Sequence, residues 1–319
     1  MNFYNRLMRP KIEKAMNKRS ISVESSKPKK KIPKNYEVDP ERYNAGSSSR
    51  NLDQEEITFS QIKLCSNIDE KLQLLNRCRS FIQKQFREKE PGQLVIDMNI
   101  FFSEGVLVLD DWFQWITKQP SNLSQNAEKN FNKVMNLVKD YLIYENGREV
   151  EAEIIQSKTE SEASTGSLTF HYIFLLRQLS KVFKNKVSEA IFLSGTDKQQ
   201  GFTDLPFIHV SKKNVLGEGS FGMEVVISLR VNDVILYDSL SLIEAITALV
   251  QLYFAMHLHY PEDCDDMYQF FQRIFCVFGS ADGARNKRDT TKRAYNKFKD
   301  FIASTYIQAD GAEITNLYC

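Results

Sequence analysis

Asn232-Asp233 lies between two runs rich in β-branched and aliphatic residues, MEVVISLRV (Met223 to Val231) and VILYD (Val234 to Asp238). A two-residue Asn-Asp connection accepts the left-handed backbone of a primed turn, so the pattern predicts an antiparallel hairpin over about 224–231 and 234–238. Strands joined this tightly pair antiparallel, whereas parallel strands need a long crossover. The chain is therefore expected to be α+β, with its remaining mass in helices.

The helical expectation rests on apolar residues recurring at 3.6-residue spacing. Ile68, Leu72, Leu75, Ile82 and Phe86 form one stripe, broken only by Arg79. Ser66 and Asp69 resemble its N-cap and partner, and Pro91-Gly92 its end. LVIDMNIFF is expected to be a short strand or extended piece, followed by a helix through Asp110 to Lys118. A long helix from about Ser124 to Tyr144 carries Phe131, Val134, Met135, Val138, Tyr141 and Leu142, and Asn146-Gly147 stops it. A further helix is expected before Gly195, a loop over Thr196 to Phe221, and three last helices over Leu240 to Leu258, Asp263 to Phe278 and Asp289 to Tyr306. No internal repeat is found.

Charge divides the chain. Residues 1–50 carry 13 Lys or Arg against 5 Asp or Glu, leaving 29 basic and 36 acidic side chains for the rest. KPKKKIPK (Lys27 to Lys34) and NAGSSSR (Asn44 to Arg50) offer too little apolar surface to offset the entropy of ordering. Residues 1–56 are thus expected to be a disordered basic arm. A helical unit over 57–147 follows, then an acidic Ser/Thr-rich linker or loop over 148–167, helices plus the hairpin over 168–307, and a tail over 308–319. The 42% hydrophobic content, with 22 Phe and 13 Tyr, can fill a substantial core. The N-terminus lacks a signal-peptide core, and the most apolar stretch is interrupted by Glu244, Thr247 and Gln251. Five scattered cysteines argue against a disulfide framework. An intracellular protein with no membrane contact is expected, the nucleus being favoured.

Several strings resemble chemistry. LGEGSFGMEV (Leu216 to Val225) matches a kinase glycine-rich loop, but no Lys occurs between Lys213 and Lys287 and no HRD or DFG string exists. HLHY (His257 to Tyr260) could place two imidazoles on a metal, with Tyr295 as nucleophile, in a metal-dependent nuclease. Two residues along a helix turn about 200°, which would separate them. A zinc site from His257, His259, Cys264 and Cys276 would have only one tight pair, and Cys276 lies among core-like residues. The acidic PEDCDD (Pro261 to Asp266) is expected to cap a helix. No catalytic residue, metal ligand or cofactor is assigned; whether the His and Cys residues of 257–276 converge is left to the structure.

The basic clusters are more informative. Lys18, Arg19, Lys27, Lys29, Lys30, Lys31 and Lys34 resemble a nuclear-import signal, and KRSIS offers Ser20 or Ser22 for a phosphate that would lower the arm's charge. Arg285, Lys287, Arg288, Lys292, Arg293, Lys297 and Lys299 accompany Tyr295, Phe298 and Phe301 on the last helix, a candidate nucleic-acid face. The same helix has an ordinary core stripe in Ala294, Phe298, Phe301 and Ile302.

SLIEAITALVQLYFAMHLHYPEDCDDMYQFFQRIF (Ser241 to Phe275) resembles the C-terminal part of uncharacterised animal proteins, some associated with mobile elements. The resemblance implies a multicopy, element-derived nuclear protein and brings no reaction, cofactor or catalytic residue. The leading expectation is a non-enzymatic nuclear interaction protein, acting through an unidentified protein partner or nucleic acid. The alternatives are the nuclease using His257, His259 and Tyr295, and a self-associating structural protein.

Overall fold

The computed structural model describes residues 52–65, 67–98, 101–102, 105–117, 123–185, 190–194, 205–217, 220–261, 263–277 and 292–306. The basic arm's cluster from Lys18 to Lys34 lies outside them, as do Arg285, Lys287 and Arg288. Among the described residues the chain is α+β and mainly helical, with one small sheet.

The first helices are α1 (Leu52–Gln61), α2 (Ile68–Arg77), α3 (Arg79–Glu88), α4 (Pro91–Asp97) and α5 (Val106–Thr117). Asn67, rather than Ser66, caps α2, its side chain accepting from the Asp69 amide at 2.8 Å. The stripe expected to form one helix is two, broken at Cys78. Pro91 does not end a helix but starts α4, at the first position, where its missing N–H costs nothing. The strand expected in LVIDMNIFF is also corrected. Leu94, Val95, Met98, Phe101 and Phe102 are buried at helical spacing, and Phe101 and Phe102 pack against Phe86.

The long helix α6 (Leu123–Asn146) forms as expected and stops at Gly147, whose φ of +73° suits glycine. Arg148–Thr165, expected as a linker or loop, is instead a helix, α7. Glu149 and Glu151 complement the dipole of its first turn. Its inward face is Ile154, Ser157 and Ser161, one turn apart, and these small serines admit α8 (Thr169–Val182) closely. A single core cluster runs from Phe59 to Ile302 across this segment, so 148–167 is no boundary within the described chain.

The sheet has strand order β1 (Ile191–Leu193), β2 (Phe207–Gly217), β3 (Ser220–Val231) and β4 (Val234–Tyr237). The expected hairpin is β3–β4, with Val231 opposite Val234 and Asn232 at φ +53°. β2, within the segment expected to be loop, pairs antiparallel with β3 from Phe207↔Arg230 to Gly217↔Ser220. Ile208 and Val210 meet Leu229 and Ile227 on the core face, all buried. β1 pairs parallel with β2, where a helix running towards Gly195 was expected.

Helix α9 (Leu242–Ala255) is the centre of the core. Ser241 and Glu244 form a reciprocal capping box at its start. Every residue from Ala245 to Ala255 is buried, the pattern of a helix surrounded by others rather than lying on a surface. Beyond it come α10 (Asp265–Gln269), a π-helical turn (Phe270–Phe275) and α11 (Lys292–Tyr306).

Candidate functional site

The segment that most resembles chemistry is packed into the core. Helix α9 closes with a Schellman motif: the His257 amide donates to the Phe254 carbonyl at 3.2 Å, and the Leu258 amide to the Tyr253 carbonyl at 2.9 Å. His257 takes the left-handed position, φ +52°, and is 1% exposed. The helix has ended before His259, so the two histidines do not share its geometry. His259 is half-buried.

Around this turn three tyrosine rings lie together, Tyr253 4.8 Å and Tyr260 4.9 Å from Tyr268. The Tyr253 and Tyr268 hydroxyls both donate to the Pro206 carbonyl, at 3.2 and 3.1 Å, and Tyr260 donates to Gln272 Oε1 at 2.9 Å. Burial, then the neighbouring Tyr253, pushes the Tyr268 hydroxyl well above the ordinary phenol range. Burial likewise raises the Cys276 thiol, and burial with the charge of Glu55 pushes Cys78 up to about 12. Such thiols are protonated and poor nucleophiles at neutral pH. No disulfide joins Cys65, Cys78, Cys264 or Cys276, the described cysteines. Among the described residues no group of three or more His, Cys, Asp or Glu could hold a metal ion, His257, His259, Cys264 and Cys276 included. Asp265 and Asp266 occupy the first turn of α10, as helix-start carboxylates should.

The kinase-like string occupies the far end of the β2–β3 hairpin, Gly217 opposite Ser220. The next strand, β4, reads VILY and has no lysine to meet a phosphate.

A second buried pair carries no signal in the sequence. Ser157 Oγ and His171 Nδ1 share a hydrogen bond of 2.7 Å between α7 and α8, and Ser157 also donates to the Ile154 carbonyl at 3.0 Å. Ser161 Oγ accepts from the His171 amide at 3.2 Å and donates to the Ser167 carbonyl. These bonds tie a helix hairpin together.

The basic face is differently placed. On α11, Phe298 and Ile302 are buried, and the Phe298 ring meets Tyr141, Phe183 and Phe270 at 4.9, 6.2 and 5.6 Å. Lys297 is exposed and Lys299 half-buried. At about 100° per residue, positions 292, 293 and 297 fall on the side of α11 away from Phe298. Of Lys292, Arg293 and Tyr295 only the backbone is described.

One residue joins this face that the sequence did not single out. Tyr144, in the last turn of α6, is 69% exposed, and its ring lies 5.1 Å from that of Phe301. Its off-stripe position was the available signal: it follows Tyr141 and Leu142 but falls outside their buried row. Burial, then the charge of Glu145 beside it, raises the Tyr141 hydroxyl, and Asp140 lies 3.7 Å from Lys139. No helix among the described residues is long and apolar enough to cross a membrane. Comparison with family models, with curated proteins and with solved structures finds no match.

Proposed function

We propose that this chain is a non-enzymatic nuclear protein that binds nucleic acid through its last helix, aided by the basic arm. The observation that carries this is the division of α11: Phe298 and Ile302 hold the helix to the body while Lys297 faces water. A helix anchored by its apolar side presents its cations at fixed spacing, which suits a row of phosphates. Among the described residues the Tyr268 hydroxyl and the Cys276 thiol are buried and held in their neutral forms by that burial. The import-like cluster of the arm and the resemblance of Ser241 to Phe275 to element-associated proteins support a nuclear setting.

The test is fluorescence anisotropy of the full chain with labelled nucleic acid at several salt concentrations. Binding at about 50 mM salt should weaken as salt rises, log K falling by roughly 0.7–0.9 per phosphate contact for each unit of log salt. Lys297→Glu should weaken it further. The proposal fails if no binding occurs at low salt, or if a reporter carrying residues 1–50 stays out of nuclei.

A further inference from the structure

We propose that Tyr144 and α11 together bind single-stranded nucleic acid, an unpaired base stacking on the Tyr144 ring while Lys297 of α11 meets a flanking phosphate. This rests on the nucleic-acid reading above and names the form of nucleic acid recognised. Three observations converge on it. Tyr144 is 69% exposed on one side and supported on the other by Phe301, 5.1 Å away, and by Tyr141, 6.5 Å away and nearly parallel. An aromatic ring backed by other rings is a rigid platform, and it loses little freedom when a flat ligand settles on it.

The second observation is the ridge of α11. Positions 293, 297 and 301 are successive turns of one helix row, so Lys297 stands one turn from the Phe301 that supports Tyr144. A cation on the helix that supports a stacking ring suits a single strand, the base on the ring and the backbone on the charge. The third concerns the described rings of this cluster. Phe298 is wholly buried and Phe301 is half-buried against Tyr141 and Tyr144, whereas Tyr144 stands open to a base. A duplex, its bases already stacked on one another, gains nothing from such a ring and would be held by charge alone.

The experiment compares a labelled oligothymidylate of roughly 16 nucleotides with a duplex of the same length, using the full chain at low salt. Tyr144→Ala should weaken the single strand about tenfold, the loss expected for one stacked base, and leave duplex binding within about twofold. Tyr144→Trp should restore single-strand affinity, and Lys297→Glu should weaken both ligands. Because Tyr144 is exposed, thermal melts should show each variant folded. If the duplex binds and Tyr144→Ala changes neither ligand, stacking is overturned while the nucleic-acid reading stands. If neither ligand binds, both fall.

Discussion

Gln251, in the middle of the buried helix α9, donates its side-chain N–H to Asp110 Oδ1 of α5 across 2.7 Å, linking residues far apart in sequence. Asp110 also accepts from Gln114, at 3.3 Å. A carboxylate that receives a buried side-chain amide makes a stronger bond than two neutral groups would. Nearby, the Phe113 and Phe254 rings meet edge to face at 5.6 Å, so polar and apolar contacts agree on how α5 docks.

Asp110→Ala should therefore lower the unfolding free energy by about 1.5–3 kcal/mol, because it strands the Gln251 amide away from water. Gln251→Leu should cost less. It removes the N–H together with an Oε1 that has no hydrogen-bond partner among the described residues, and it fills similar volume. Urea denaturation of both single variants and the double tests this; equal costs for the two singles would contradict it.

Acid should weaken the fold before its carboxylates titrate. Burial, with Lys158 and Lys139 against Glu162, holds His171 below the ordinary 6.5. Burial and Arg230, against Asp238, do the same for His209, which stacks on Phe192. The folded protein thus binds these protons less readily than the unfolded chain. Their contribution is complete above the unfolded histidine value and is lost as pH falls below it. The urea midpoint should hold steady between about pH 7 and 8 and drop by pH 5.5, and His171→Gln with His209→Gln should flatten the drop. A midpoint as high at pH 5.5 as at pH 7.5 would refute this.

The regions legible in sequence are those decided locally. Asn232 can take a positive φ, and β-branched neighbours on both sides leave a hairpin as the only economical outcome. The Phe131-to-Leu142 stripe likewise needs no partner to be recognised. Arg148–Thr165 was illegible because its buried face is made of Ser157 and Ser161, residues common in loops, whose packing value appears only when α8 lies against them. Thr159 and Thr165 satisfy their own hydroxyls on carbonyls one turn back, so they tolerate the helix. β2 was hidden for a related reason: Lys212, Lys213 and Asn214 form a strand because β3 pairs with them. At the candidate site, the core stripe of α11 through Phe298 and Ile302 could be read from its spacing. Tyr144 shows in the sequence only as an off-stripe aromatic, because its contact with Phe301 comes from more than 150 positions away.

Lys184 and His257 are non-glycine residues in the same left-handed position after α8 and α9, and replacing each with glycine should have opposite effects. Lys184 (φ +59°) closes α8, its amide donating to Lys181 and that of Asn185 to Ser180, both at 2.9 Å. It is exposed, so Lys184→Gly relieves backbone strain without removing packing and should add about 0.5–1 kcal/mol. His257→Gly relieves similar strain but empties a buried site, and should destabilise by about 1–3 kcal/mol. Thermal melts giving both changes the same sign would show that the turn conformation, not burial, dominates at these ends.

The Pro206 carbonyl is the hub of the tyrosine cluster, since both Tyr253 and Tyr268 donate to it and their hydroxyls lie 3.2 Å apart. Removing either hydroxyl leaves the carbonyl one donor. Tyr253→Phe or Tyr268→Phe alone should then cost about 0.5–1.5 kcal/mol, the ordinary net value of one hydrogen bond. Removing both strands a buried carbonyl, and the double variant should lose at least about 1 kcal/mol more than the singles summed. A double-mutant cycle by urea denaturation measures the excess. Simple additivity would mean that water reaches Pro206 when the hydroxyls leave, and that this region of the core is less sealed than the burial of Tyr253 and Tyr268 implies.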